Sequence, residues 1–343
     1  MKRISHLIFL PLTLLIACQS ADDHTAKDLY IGEIRVHDPT LGSIIDTTAN
    51  ISIRGEGFTW SEGPVWIPSQ EKLLFSDVPE NIIYSWDSIA GIDTFLTPSG
   101  ITGETTNSNE PGSNGLALDL DGRLLLCQHG DRRLARWEGS WDQPVASYST
   151  VAGRYDGNRF DSPNDLVVAS NGNIYFTDPP YGLNDQVNDP EKEIPFQGVY
   201  RIIPDGELLL LTKELSRPNG VALSPDEKTL YVANSDPDRA IWMAYDIMED
   251  GRVENERLFF DATPLTANLR GLPDGLKVDK QGNLFATGPG GVLIFSPEGT
   301  HLGTIFTTQA TANCSFGKDG QSLFMTADMY LLEVPILTTG MGF

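Results

Sequence analysis

Asn114-Gly115-Leu116-Ala117-Leu118, a turn at Asp121-Gly122, then Arg123-Leu124-Leu125-Leu126-Cys127: this is one copy of a unit that occurs six times. The others open at Glu62-Gly63-Pro64-Val65-Trp66, Asn164-Asp165-Leu166-Val167-Val168, Asn219-Gly220-Val221-Ala222-Leu223, Asp274-Gly275-Leu276-Lys277-Val278 and Asn313-Cys314-Ser315-Phe316. Each opening leads into a short apolar strand, a polar turn, and a second apolar strand. Asp121-Gly122, Asn171-Gly172, Gln281-Gly282 and Asp319-Gly320 supply hairpin chemistry between the paired strands. The opening residues, at positions 62, 114, 164, 219, 274 and 313, are spaced by 52, 50, 55, 55 and 39 residues. A period of that size, built of strands, predicts an all-β fold, a six-bladed β-propeller. Too few residues follow Ala327 for a complete sixth blade. The alternating stretch Ile51-Ser52-Ile53-Arg54 is therefore expected to close the ring as an N-terminal strand and leave no open edge.

Outside this domain, assigned to 51–343, the chain divides in two. Lys2 and Arg3 precede an apolar stretch from Leu7 to Ala17, too short to span a bilayer and placed as a secretory leader. It ends Leu15-Ile16-Ala17-Cys18, which resembles the bacterial lipoprotein processing site. That resemblance implies a leader over 1–18, lipidation of Cys18 and export. Gln19 after the Cys implies sorting to the outer membrane, facing the periplasm. Residues 19–50 are polar and irregular and read as a tether. Cys127 and Cys314 fall in non-adjacent repeats and are expected to be unpaired, buried thiols.

With 24 Lys and Arg against 47 Asp and Glu, the net charge is −23. Such a surface repels phosphate backbones and anionic headgroups, which excludes nucleic acid as a partner and leaves the lipid anchor as the only membrane contact. The sequence does not fix an oligomeric state.

In a propeller the innermost strands line a central channel, so the six opening residues meet at one mouth. Glu62, Asn114, Asn164, Asn219, Asp274 and Asn313 are all carboxylates or amides. Polar oxygens gathered at an axis without a partner are costly to bury. A hard divalent cation resolves that cost, Ca²⁺ being the first choice because it takes six to eight oxygens, with Mg²⁺, Mn²⁺ or Zn²⁺ as alternatives. Of the five histidines only His129 falls near the channel, which argues against zinc. The second strands return to the same face and are expected to bring Asp77, His129, Asp178, Asn234 and Asp328 around the ion as a second tier. Long connections on that face, at 139–161 and 183–197, would form a pocket, with Tyr181 as a wall residue.

Ser61-Glu62-Gly63-Pro64-Val65-Trp66, Ser162-Pro163-Asn164-Asp165, Phe176-Thr177-Asp178-Pro179-Pro180-Tyr181-Gly182, Arg217-Pro218-Asn219-Gly220 and Leu272-Pro273-Asp274-Gly275 together resemble the gluconolactonase, or senescence-marker-protein/regucalcin, family, which also includes luciferin-regenerating enzyme. The resemblance covers roughly residues 55–335 and is nearer to the bacterial gluconolactonases, whose pattern includes Gln128-His129-Gly130-Asp131-Arg132-Arg133. It implies one divalent metal and hydrolysis of sugar lactones. It also implies that Glu62, Asn219 and Asp274 bind the metal and that Asn164 contacts metal or substrate. Animal members carry an Arg where this chain has Ser162, so recognition of substrate by that Arg is absent.

Lactone hydrolysis requires water attack and stabilisation of the resulting oxyanion, and a divalent cation provides the second. Asp274 is the expected general base and His129 the alternative. Asn114, Asn164, His129, Asp178 and Tyr181 are the expected substrate contacts. No Gly-x-Ser-x-Gly elbow occurs, which disfavours an acyl-enzyme. Two rivals stand beside this reading: aryl-ester or phosphotriester hydrolysis on the same metal, and a non-catalytic binding propeller braced by the ion.

Overall fold

The computed structural model describes residues 29–103 and 108–343; the leader segment and Cys18 lie outside the described residues. Six antiparallel sheets are arranged as a β-propeller. Blade 1 runs Ser61–Ile67, Lys72–Asp77, Ile82–Asp87 and Gly91–Leu96 from the axis outward. Blades 2, 3 and 4 repeat the plan with innermost strands Ser113–Leu118, Leu166–Val168 and Pro218–Leu223. Blade 5 begins at Leu276–Val278, and blade 6 consists of Thr311–Gly317, Ser322–Ala327 and Tyr330–Pro335 with Ser52–Glu56 as its outer strand. The closing strand pairs Ser52 with Glu333 and Glu56 with Tyr330, so the two ends of the domain share one sheet, as the sequence predicts.

The core is divided among the blade interfaces. Leu116, Leu124 and Leu126 of blade 2 pack on Ile67, Leu74 and Ile83 of blade 1. Five further buried clusters fill the 2–3, 3–4, 4–5, 5–6 and 6–1 interfaces in the same way. The second strand of each blade therefore buries both faces, which is why it reads as a continuous apolar run instead of an alternating one. Cys127 sits in the 2–3 interface and Cys314 in the 5–6 interface, both buried and free.

The tether expected over 19–50 is corrected by the structure from Tyr30 onward. Glu33–Val36 adds a fifth strand to blade 5, pairing Glu33 with Phe306 and Val36 with Gly303. A 3₁₀ turn over Pro39–Ser43 follows, capped by Asp38, and drives Leu41, Ile44 and Ile45 into the 5–6 interface. Fully burying a Leu or Ile side chain contributes about 1.5–3 kcal/mol, so three of them outweigh the polar composition around them. Residues 30–50 thus belong to the propeller.

Candidate metal and substrate site

The opening residues are aimed by local distortions of the innermost strands. In blades 1, 2 and 4 the ladder slips between Glu62 and Val65, Ser113 and Leu116, and Pro218 and Val221. Such bulges take a side chain out of the regular alternation and redirect it. In blades 3 and 5 the strand begins only after Asn164 and Asp274, whose backbone N–H groups donate to Thr177 O at 2.9 Å and Thr287 O at 3.0 Å. The glycine after the opening residue in blades 1, 2, 4 and 5 lets adjacent blades close at the axis. A Cβ on Gly63 would lie 2.0 Å from Asn114 O, one on Gly115 2.6 Å from Asn164 O, and one on Gly220 2.1 Å from Asp274 O. Glycine is required there by its neighbours across the blade interface.

Five of the six residues converge on one cavity of about 530 Å³ at the channel mouth: Glu62, Asn114, Asn164, Asn219 and Asp274. The first four are buried, and Oδ1 of Asp274 is enclosed although its side chain is partly exposed. The sixth, Asn313, does not line the cavity. Its Oδ1 accepts from the Cys314 N–H at 2.9 Å and from Lys277 Nζ at 3.4 Å, and its Nδ2 approaches Asp165 Oδ2 at 3.5 Å. Asp165 stands where four of the other repeats have glycine and is itself buried.

Three buried oxygens in this mouth, Asn114 Oδ1, Asn219 Oδ1 and Asp274 Oδ1, have no hydrogen-bond partner. Unpaired acceptors of that kind are rare in folded proteins. Burial pushes the Glu62 carboxyl up to about 8, against an N–H donated by Gly63, and Asp165 adds to the rise. Asp274 is held well above the usual carboxylate range by burial, then by Glu62 and Asp165. Among the described residues no three His, Cys, Asp or Glu side chains form a metal cluster. A cation here would rest on two carboxylates and amide oxygens, a donor set suited to a hard ion. Unpaired acceptors beside carboxylates reluctant to ionise are what such an ion would relieve, so the residues fit it.

The second tier expected around the ion does other work. Asp77 accepts the Thr59 and Trp60 N–H groups at 3.0 and 3.1 Å, Asp178 those of Asp161 and Ser162 at 2.9 and 2.7 Å, and Asn234 that of Arg217 at 2.8 Å. These side chains hold the loops that deliver Glu62, Asn164 and Asn219. Asp178 does not line the mouth; burial, with Asp161 nearby, raises its carboxyl to about 8. Asp328 occupies a turn, where its carbonyl accepts from Ser61 Oγ at 2.9 Å. Ser162 braces the turn after Asp178, donating to Pro179 O at 2.6 Å and accepting from Gly182 N at 2.9 Å. His129 is fully buried one layer behind the mouth, on an adjoining cleft, with Nδ1 3.2 Å from Glu110 Oε2.

Tyr181 does line the mouth, and its phenol is held protonated by burial and by the nearby Asp274 carboxylate. Trp60, Glu110, Ser235 and Leu272 line it too and were not singled out in the sequence. Ser235 had a usable signal: it follows Asn234 at a strand end, where successive side chains point to opposite sides.

Comparison with known proteins identifies the family of the chain. The model of the SMP-30/gluconolactonase/LRE-like region matches residues 60–328. A gluconolactonase from Zymomonas mobilis is 43% identical over 319 residues, covering 90% of this chain and 88% of that protein. The pentonolactonase XacC of Haloferax volcanii is 25% identical over 302 residues, covering 84% of each. Among solved structures, a gluconolactonase from Xanthomonas campestris superposes with a TM-score of 0.76 at 32% identity, covering 90% of this chain and 97% of that one. This chain belongs to the SMP-30/gluconolactonase/LRE-like family.

Proposed function

We propose that the protein hydrolyses a sugar lactone, using one divalent cation, Ca²⁺ in the first place, held by Glu62, Asn164, Asn219 and Asp274. The observation that carries the metal is the set of unpaired oxygens at Asn114, Asn219 and Asp274 in one cavity. The names of the relatives, gluconolactonase and pentonolactonase, support the lactone. When bound, such a cation supplies a positive charge that polarises the lactone carbonyl. Asp274 accepts the proton of the attacking water on its carboxylate. Asn114 and Asn164 orient the ring, and the protonated Tyr181 phenol donates to a substrate oxygen. Trp60 and Leu272 narrow the access of bulk water at the rim. Acid release from a panel of sugar lactones, followed in a pH-stat with Ca²⁺ or with chelator, tests this reading. Turnover that survives exhaustive chelation would remove the cation from it, and no turnover of any lactone would remove the reaction.

We also propose that Cys18 carries lipid and holds the protein at the outer membrane on the periplasmic side. The support is Leu15-Ile16-Ala17-Cys18-Gln19 directly after an apolar leader. Mass spectrometry of the membrane fraction tests it; an unmodified Cys18 on the exported protein contradicts it.

A further inference from the structure

Glu110 lines the mouth beside Glu62 and Asp274, on the loop that enters blade 2. Its Oε2 lies 3.2 Å from Nδ1 of His129, whose side chain is entirely enclosed. Neither ring nitrogen of His129 makes a hydrogen bond. A fully buried imidazole with neither nitrogen hydrogen-bonded and a carboxylate oxygen 3.2 Å from one of them is an expensive arrangement for a residue with a purely packing role. His129 also borders a second cavity, a cleft of about 260 Å³ between the loops around Ser108 and Leu183. Those loops are tied together by Ser108 Oγ donating to Gly182 O at 2.9 Å and by the Asn109 N–H donating to Asn184 Oδ1 at 3.0 Å. Glu110 and His129 thus form a two-residue bridge between the substrate mouth and a separate cleft.

From this placement we propose that Glu110 is a second catalytic residue, the acid that protonates the departing ring oxygen, and that His129 is its positioning residue and proton partner. The proposal rests on the lactone reading above. As water attacks the carbonyl, one O–H bond breaks and its proton goes to Asp274 while the new C–O bond forms. As the ring C–O bond breaks, the electron pair goes to the ring oxygen, which takes the proton carried by Glu110, whose Oε2 stands 3.2 Å from His129 Nδ1. Asp274 then returns its proton to solvent, and the Glu110–His129 pair takes one up through the cleft. One lactone and one water become one hydroxy acid, with every proton accounted for.

The test compares E110Q with wild type at saturating Ca²⁺ on two lactones of equal ring size, both turned over by wild type. One releases an alkoxide, the other a phenoxide that departs without an acid. The expected result is a kcat loss of roughly 10²–10⁴-fold on the alkoxide lactone and less than about tenfold on the phenoxide lactone, the scale of general acid catalysis. H129N, checked for an unchanged fold by circular dichroism and melting, is expected to show the same selective loss at smaller size. An equal loss on both lactones, or a change confined to KM, overturns the acid role of Glu110. A folded H129N with wild-type kcat on both overturns the role of His129. Wild-type protein inert to all lactones overturns the functional reading first, a result distinguishable from either.

Discussion

Asn219 Nδ2 donates to Ser235 Oγ at 3.0 Å, and Ser235 Oγ in turn donates to the carbonyl of Pro273, next to Asp274. This short chain decides which end of the Asn219 amide faces the cavity, because the nitrogen is engaged and the oxygen is left free. It also ties the innermost strand of blade 4 to the loop that delivers the blade 5 ligand. S235A removes the restraint without touching a ligand. Metal affinity measured by calorimetry should fall roughly 10–100-fold, the usual effect of losing an outer partner of a ligand. The melting temperature without metal should fall modestly, since one hydrogen bond contributes only about 1 kcal/mol.

The carboxylates of the mouth make stability depend on pH in a defined direction. Glu62 has its ordinary value of 4.5 raised to about 8, and Asp274 is raised too. A carboxyl with a raised folded-state pKa binds more protons folded than unfolded, so stability falls as pH rises from the ordinary value through the folded one. In chelator, the melting temperature should therefore decline between about pH 4.5 and 8 and level off above that. Asp178, also raised to about 8, contributes with the same sign but lies away from the mouth. The increment gained on adding Ca²⁺ isolates the mouth: it should grow across that window, because the ion must displace the proton of Glu62. E62Q should lessen that growth to the part due to Asp274, and a Ca²⁺ increment independent of pH in the wild type would contradict the ligand role of Glu62.

The legible parts of this protein are those that the blade repeat copies. Asn114, Asn164, Asn219 and Asp274 could be aligned because each opens an apolar strand with a small or short polar residue behind it, and the fold requires that pattern for close approach at the axis. Asp77, Asp178 and Asn234 were as visible but misread, since the side chains that ligate cations also accept backbone N–H groups. Glu110 was missed for the opposite reason, since a loop is not held in register by any repeat, and Ser235 was overshadowed by its neighbour Asn234. The segment 30–50 was hidden because its apolar residues, Ile31, Ile34, Leu41, Ile44 and Ile45 among them, follow no blade-repeat spacing. Only the 3₁₀ turn brings Leu41, Ile44 and Ile45 onto one side.

The axial glycines give a prediction that starts from packing. In G220A the new Cβ would meet Asp274 O at 2.1 Å, and the atom it meets is backbone, which cannot rotate away. The blades must separate locally, at a cost of about 1–3 kcal/mol, the range for overpacking a close-packed interior. Displacement of Asp274 should lower metal affinity in the same variant. Gly42 is the control, since a Cβ there meets nothing within 4 Å. G42A should leave both the chemical-denaturation midpoint and the calorimetric affinity unchanged, and equal effects in the two variants would count against an axial contact.

Asp274 is expected to be needed for turnover beyond its share in holding the ion. D274N keeps an oxygen of similar size at the position of the unpaired Oδ1 but removes a negative charge and the proton acceptor. Were Asp274 only a ligand, saturating metal would restore the rate, because occupancy would be the sole defect. With Asp274 as the base, kcat should remain roughly 10²–10⁴-fold down at full occupancy. N219D is the matched control: it alters ligand charge by one unit in the same cavity and removes no base. Its affinity for the ion should change while its kcat at saturation stays within about tenfold of wild type, since occupancy can be restored but a missing base cannot. The measurement is lactone hydrolysis against metal concentration for both variants, with occupancy read independently by calorimetry. Full recovery of D274N at saturating metal would show that another group removes the proton. Glu110 would then be the next carboxylate to examine, since it lines the same cavity.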